Sequence, residues 1–157
     1  MIGVVSLVAF PFPIDIPTSN FKPDINLSPF NFGYCDSRML LLCFQNLYEN
    51  ILLTIPFGWG ISFIARIKPR NIFWLALAVG FLFEFVQLII SLAIRSSFRI
   101  VDINDVMLNA AGVLIGYGLF QIFGWLYLSV IQRLNIQPKY IFAYVYDIVR
   151  PQNQFHN

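Results

Sequence analysis

Charge is what this chain most conspicuously lacks. Only 11% of its 157 residues are Asp, Glu, Lys or Arg, against roughly 25% in an ordinary soluble domain. So few charges cannot cover a surface that faces water, and a composition that is 58% hydrophobic and 17% aromatic points to lipid as the surrounding solvent. Histidine is nearly absent too, since His156 is the only one and stands at the end of the chain. There is no Gly-rich phosphate loop and no recognisable nucleophile motif, and neither Ser91 nor Cys43 has a histidine base nearby in sequence. Cys35 and Cys43 are the only cysteines. A disulfide between them is open on the oxidising side of a membrane, spacing alone does not establish it, and two free thiols are the expectation. The ten Lys and Arg residues are scattered rather than striped along one element, which sets nucleic acid aside as a partner.

What is present is a series of apolar runs, and they define a single all-α membrane domain over 1–157. Three runs, 39–65, 72–94 and 106–132, are each bounded by charge and long enough to cross the roughly 30 Å of hydrocarbon. The first carries Glu49 as its only charge, the second only Glu84, and the third none. Near-continuous apolar residues over Leu75–Val86 argue against the strict alternation of a barrel strand. Residues 1–14 are apolar and uncharged but lack the basic leader and cleavage site of a signal peptide. They are too short to span and are either a half-inserted helix or, as the leading expectation, the tail of a first helix that begins upstream. Residues 15–38, rich in Pro, Asn, Asp and Ser with interleaved Phe and Tyr, form an expected ordered outer loop. The tail 133–157 is expected to carry a helix along the inner interface. Counting basic residues places the hairpin 66–70 and the C-terminus in the cytoplasm: Arg66, Lys68, Arg70, Arg133, Lys139 and Arg150 lie inside, and Lys22, Arg38, Arg95 and Arg99 outside.

Polar residues inside spans are costly, so their positions carry the information. Asn46, Glu49 and Asn50 share one helical face by three-and-four spacing, as do Glu84, Gln87 and Ser91 on the next span. On the last, Asp102, Asp105, Asn109, Gly112 and Gly116 form one stripe. At about 1.5 Å per residue, Glu49, Asn50 and Glu84 all lie roughly 15 Å below the outer ends of their helices. The expectation is a cleft open to the outer leaflet, lined by Asn50, Glu84, Gln87, Asp102, Asp105 and Asn109, with Arg95 and Arg99 at its rim. Interhelical hydrogen bonding with close approach at the glycines is the alternative for Asn46, Gln87 and Ser91. For Asp102 and Asp105 the alternative is capping of the last helix.

Four motifs in this order resemble the VanZ-like family of glycopeptide-resistance proteins, over roughly Asn26 to Gly118. Asn26-Leu27-Ser28-Pro29-Phe30 looks like the family's Asn-Leu-x-Pro-Phe. Residues 50–58, Asn-Ile-Leu-Leu-Thr-Ile-Pro-Phe-Gly, look like Asn-Ile-x-x-Phe-x-Pro-Phe-Gly, with Thr54 in place of the usual Phe. Glu84-Phe85-Val86-Gln87 matches Glu-x-x-Gln, and Arg99 to Gly112 matches Arg-x-x-Asp-x-x-Asp-x-x-x-Asn-x-x-Gly, with Phe98 where Gly is usual. The family takes its name from a member that confers low-level teicoplanin resistance, so the resemblance implies a role at the outer face of a bacterial plasma membrane.

The leading expectation is a binding protein rather than an enzyme, with no cofactor. A lipid or cell-wall precursor headgroup would sit in the cleft, with Arg95 or Arg99 on its phosphate. The alternative is an enzyme acting on lipid-linked substrates through Glu84 with Asp102 or Asp105, with or without a divalent metal. A proton-coupled relay through Glu49 and Glu84 is a third, and homo-oligomerisation through Gly112 and Gly116 is compatible with the pattern.

Overall fold

The computed structural model describes residues 24–32, 40–65, 67–94 and 100–150. Three long helices, α1 (Leu40–Ile64), α2 (Pro69–Ile94) and α3 (Ile103–Arg133), form the body, and a short helix α4 (Ile141–Val149) follows. All three long helices are long and apolar enough to cross a membrane. The expected runs agree with them to within three residues at each end. The apolar piece 1–14 and the remainder of the 15–38 loop fall outside the described residues.

Side chains are distributed as lipid demands. Phe44, Leu52, Phe81, Phe85 and Ile122 point outward, while Asn50, Thr54, Glu84, Gln87, Ser91 and Asn109 are buried. In water this would be an inverted protein; in hydrocarbon, polar groups must find one another inside the bundle.

α3 is the central helix: it packs along both α1 and α2, which make little contact with each other. Close approach makes this possible. A Cβ on Gly112 would strike Thr54 Oγ1 and the Ile51 carbonyl, one on Gly116 would strike the Ile55 carbonyl, and one on Gly80 would strike the Val106 carbonyl. The pairings run forward between α1 and α3 and backward between α2 and α3, so α1 and α3 are parallel and α2 is antiparallel to both. Ile72, Ala76 and Val79 of α2 form the apolar core with Ala110 and Val113 of α3.

Two-residue strands β1 (Ile25–Asn26) and β2 (Val101–Asp102) pair in parallel, with Asn26 opposite Asp102. Sequence periodicity does not anticipate them, because each is too short to show any. At the other end, Trp59 and Phe63 of α1 pack on Phe120 and Phe123 of α3, with Phe63 and Phe120 edge to face at 4.9 Å. Beyond that cluster α3 projects past the α1–α2 hairpin, and α4 folds back on it. Tyr127 donates to the Phe142 carbonyl (2.7 Å), Tyr144 to the Phe63 carbonyl (2.9 Å), and Val149 lies against Gly124. Tyr140, Ile141, Phe142 and Tyr144 remain exposed, an apolar face suited to a bilayer surface.

Candidate functional site: a polar recess at the start of the third span

The N-terminus of α3 organises the site. Asp102 is its N-cap, in extended conformation (φ −125°, ψ 126°). Its Oδ1 accepts from the Asn104 main-chain N–H and from Asn104 Nδ2, both at 2.8 Å, and its Oδ2 accepts from Asn26 Nδ2 at 3.0 Å. The Asp102 N–H in turn donates to Glu84 Oε2 of α2 at 3.0 Å. Asp102 is bonded through both oxygens and Glu84 through Oε2, each to an N–H donor. Asp102 thus caps α3. Asp105 occupies the first turn of α3, 4% exposed, where a negative charge complements the helix dipole.

Asn104 locks the 24–32 segment onto this cap. Its Oδ1 accepts from the Phe30 N–H (2.6 Å), and its Nδ2 donates to the Asn31 carbonyl (3.2 Å). Phe30 has positive φ (61°), and Asn26 Oδ1 accepts from the Ser28 N–H (3.1 Å). The Asn-Leu-Ser-Pro-Phe stretch is thus a turn that aims main-chain groups at one buried amide.

On the α1 side, Thr54 is fully buried and donates to the Asn109 carbonyl at 2.7 Å. Asn50, one turn earlier, is 2% exposed. Gln87 and Ser91 continue the Glu84 face of α2, each 1% exposed. Asn50 Nδ2, Asn109 Nδ2 and Oδ1, Gln87 Oε1 and Ser91 Oγ have no hydrogen-bond partner among the described residues. Because Glu84 meets the beginning of α3, the last ten residues of α2 rise about 15 Å above that level. Thr54 meets Asn109, six residues into α3, so α1 rises about 12 Å above it. The ribbon and its polar partners therefore lie below the level of the ends of α1 and α2.

Of the residues that sequence pattern selects, Glu84 and Asp102 are in direct contact, and Asn50, Gln87, Asp105 and Asn109 are buried in the polar layer around them. Arg99, like Arg95, lies outside the described residues. Glu49 departs from the expected shared layer: it is half-buried and accepts from Gln45 Nε2 of its own helix at 2.8 Å. One residue of helix is a 100° rotation, so Asn50 and Glu49 cannot both face α3. Cys43 is disulfide-bonded, which corrects the expectation of two free thiols; the chain's other cysteine, Cys35, lies outside the described residues. Asn104 and Thr54 belong to the same buried polar layer, and spacing did not select them. Asn104 falls off the 102–105–109 stripe, and its role depends on a segment that arrives from elsewhere in the chain. Among the described residues no three His, Cys, Asp or Glu side chains come together as a metal site.

A family model described as VanZ/LLP1 matches residues 1–124. The chain belongs to the VanZ/LLP1 family. The match takes in every residue of the recess, from the Asn26 turn through Glu84 to Asn109, and the VanZ/LLP1 region ends at Gly124, the residue against which α4 packs. No curated protein and no solved structure matches the chain. The VanZ-like assignment and the three spans identify a membrane protein of this family.

Proposed function

We propose that the recess holds the polar headgroup of a lipid or lipid-linked cell-wall precursor entering from the outer leaflet of a bacterial plasma membrane. Occupancy there contributes to glycopeptide (teicoplanin) resistance or to envelope homeostasis by masking or redistributing the drug's target. The observation that carries this reading is the set of buried, unpartnered amide and hydroxyl atoms on Asn50, Gln87, Ser91 and Asn109. A buried polar atom without a partner costs about 1–3 kcal/mol, and amides that can both donate and accept suit sugar hydroxyls and peptide groups. Arg99 is the partner for phosphate.

An outward-facing recess is supported by the six-to-four excess of basic residues on the opposite side. The disulfide at Cys43 adds support, because it lies near the same end of α1 and such bonds persist in oxidising compartments. The enzyme alternative draws less support, since Asp102 already accepts main-chain and amide donors and Glu84 Oε2 accepts the Asp102 main-chain N–H.

Binding of a lipid-linked precursor to the purified full chain tests this. Asn109→Ala removes the unpartnered side-chain atoms while leaving the Thr54 bond, which is to the main chain, and is expected to weaken binding about tenfold. In cells, Arg99→Ala at equal expression is expected to restore teicoplanin binding. Unchanged binding in Asn109→Ala together with unchanged protection in Arg99→Ala would overturn the proposal.

A further inference from the structure

At the opposite end of the bundle, a cavity of about 530 Å³ opens between the α1–α2 hairpin, the projecting part of α3 and the end of α4. That volume is within the range of small-molecule sites, about 300–1,000 Å³. The charged residues of its lining are Lys68 and Arg150, both cationic. The first turn of α2, whose Pro69 also lines the cavity, contains no acidic residue, so the positive end of a 26-residue helix adds to the same field. Asp147, one turn before Arg150, is exposed and outside the lining. Arg150 lies over the Tyr146 ring at 6.0 Å, which orients its guanidinium.

We infer that this cavity is a binding site for an anionic phospholipid of the leaflet on the hairpin side, with the phosphate between Lys68 and Arg150. Two observations favour a lipid over a free anion. The rest of the lining is largely apolar, with Trp125 and Leu128 on α3, which gives an acyl chain a surface and would leave a lone phosphate poorly solvated. The cavity also sits at the level of a hairpin joining two spans, and Tyr117 and Trp125 supply the aromatic rings that settle at headgroup depth. α4 completes the site by carrying Arg150 to it. Its anchoring through Tyr144 and Val149 thereby acquires a purpose beyond packing.

Trp125, 68% exposed, is the natural reporter. The full chain is reconstituted in phosphatidylcholine vesicles containing either brominated phosphatidylglycerol or brominated phosphatidylcholine, and tryptophan quenching is titrated against each. Wild type is expected to be quenched preferentially by the anionic lipid. Combined Lys68→Gln and Arg150→Gln should weaken that preference about tenfold, as loss of charge-assisted hydrogen bonds implies. Gln121→Glu, which adds a carboxylate at an exposed position of the lining and does not disturb packing, should do the same. Lys139→Gln, outside the lining, should leave the preference intact. The inference is overturned if helical, folded variants at Lys68, Arg150 or Gln121 keep the wild-type preference, or if Lys139→Gln loses as much. Abolition of the preference by inorganic phosphate would also overturn it, because the site would then take free anions.

Discussion

The two ends of the bundle are held by different physics. Where α3 begins, side-chain amides and carboxylates bond to one another and to main-chain groups, joining the 24–32 segment, α2 and the start of α3, each with a defined donor and acceptor. Where α3 ends, aromatic rings meet at 4.9 to 6.5 Å and two tyrosine hydroxyls tie down α4. Hydrogen bonds are directional, and between spans surrounded by lipid they replace a hydrophobic drive that is absent there. Ring contacts tolerate displacement, with a well spread over about 4.5–7 Å. The difference teaches that directional bonds fix side chains in place at the start of α3, whereas at its far end ring packing sets the contact and two hydroxyl bonds hold α4.

Substitutions can break or sharpen this contrast. The largest effect is expected where the helices touch. Gly112→Leu forces a side chain into Thr54 and the Ile51 carbonyl and should cost about 3 kcal/mol or prevent folding. Gly118→Leu, which faces open space, should leave the melting temperature in detergent nearly unchanged. Next is Asp102→Ala, which removes the cap and the Asn26 bond together. About 2 kcal/mol is expected, seen as proteolytic cleavage in 24–32 before the spans unfold. Thr54→Val deletes one interhelical hydrogen bond at almost constant volume, so a loss of about 1 kcal/mol in a denaturant titration is expected. Tyr144→Phe should be smallest, about 0.5 kcal/mol globally, since the hydroxyl it removes ties a peripheral helix. Hydrogen exchange in α4 should nonetheless rise while exchange in α1 stays constant. If Tyr144→Phe instead destabilised the whole chain as much as Asp102→Ala, the two ends would not be energetically separate.

The spans were legible because about twenty predominantly apolar residues admit few other structures, and because the 102–105–109–112–116 stripe is a local property of one helix. The convergence of Glu84 with Asp102 was also within reach, since depth along each helix can be counted. Glu49 shows where counting fails: the 46–49–50 face is one stripe in sequence, yet the packing against α3 selects only the Asn50 and Thr54 side of it. Asn104 and the β1–β2 pair escaped for a different reason. Their partners are non-local, and nothing in the residues around Asn104 reveals that a turn at Ser28–Asn31 will be delivered to it.

The pairing of β1 with β2 also constrains the order of assembly. Asn26 and Asp102 are 76 positions apart, and both α1 and α2 lie between them. At roughly 5–20 residues per second of translation, the Asn26 turn waits roughly 4 to 15 s on the ribosome-bound chain before its mate exists. It can dock only after α1 and α2, which lie between the two strands, have been made. The ribbon thus closes over a completed α1–α2 hairpin and joins the chain ahead of the first span to the start of the third.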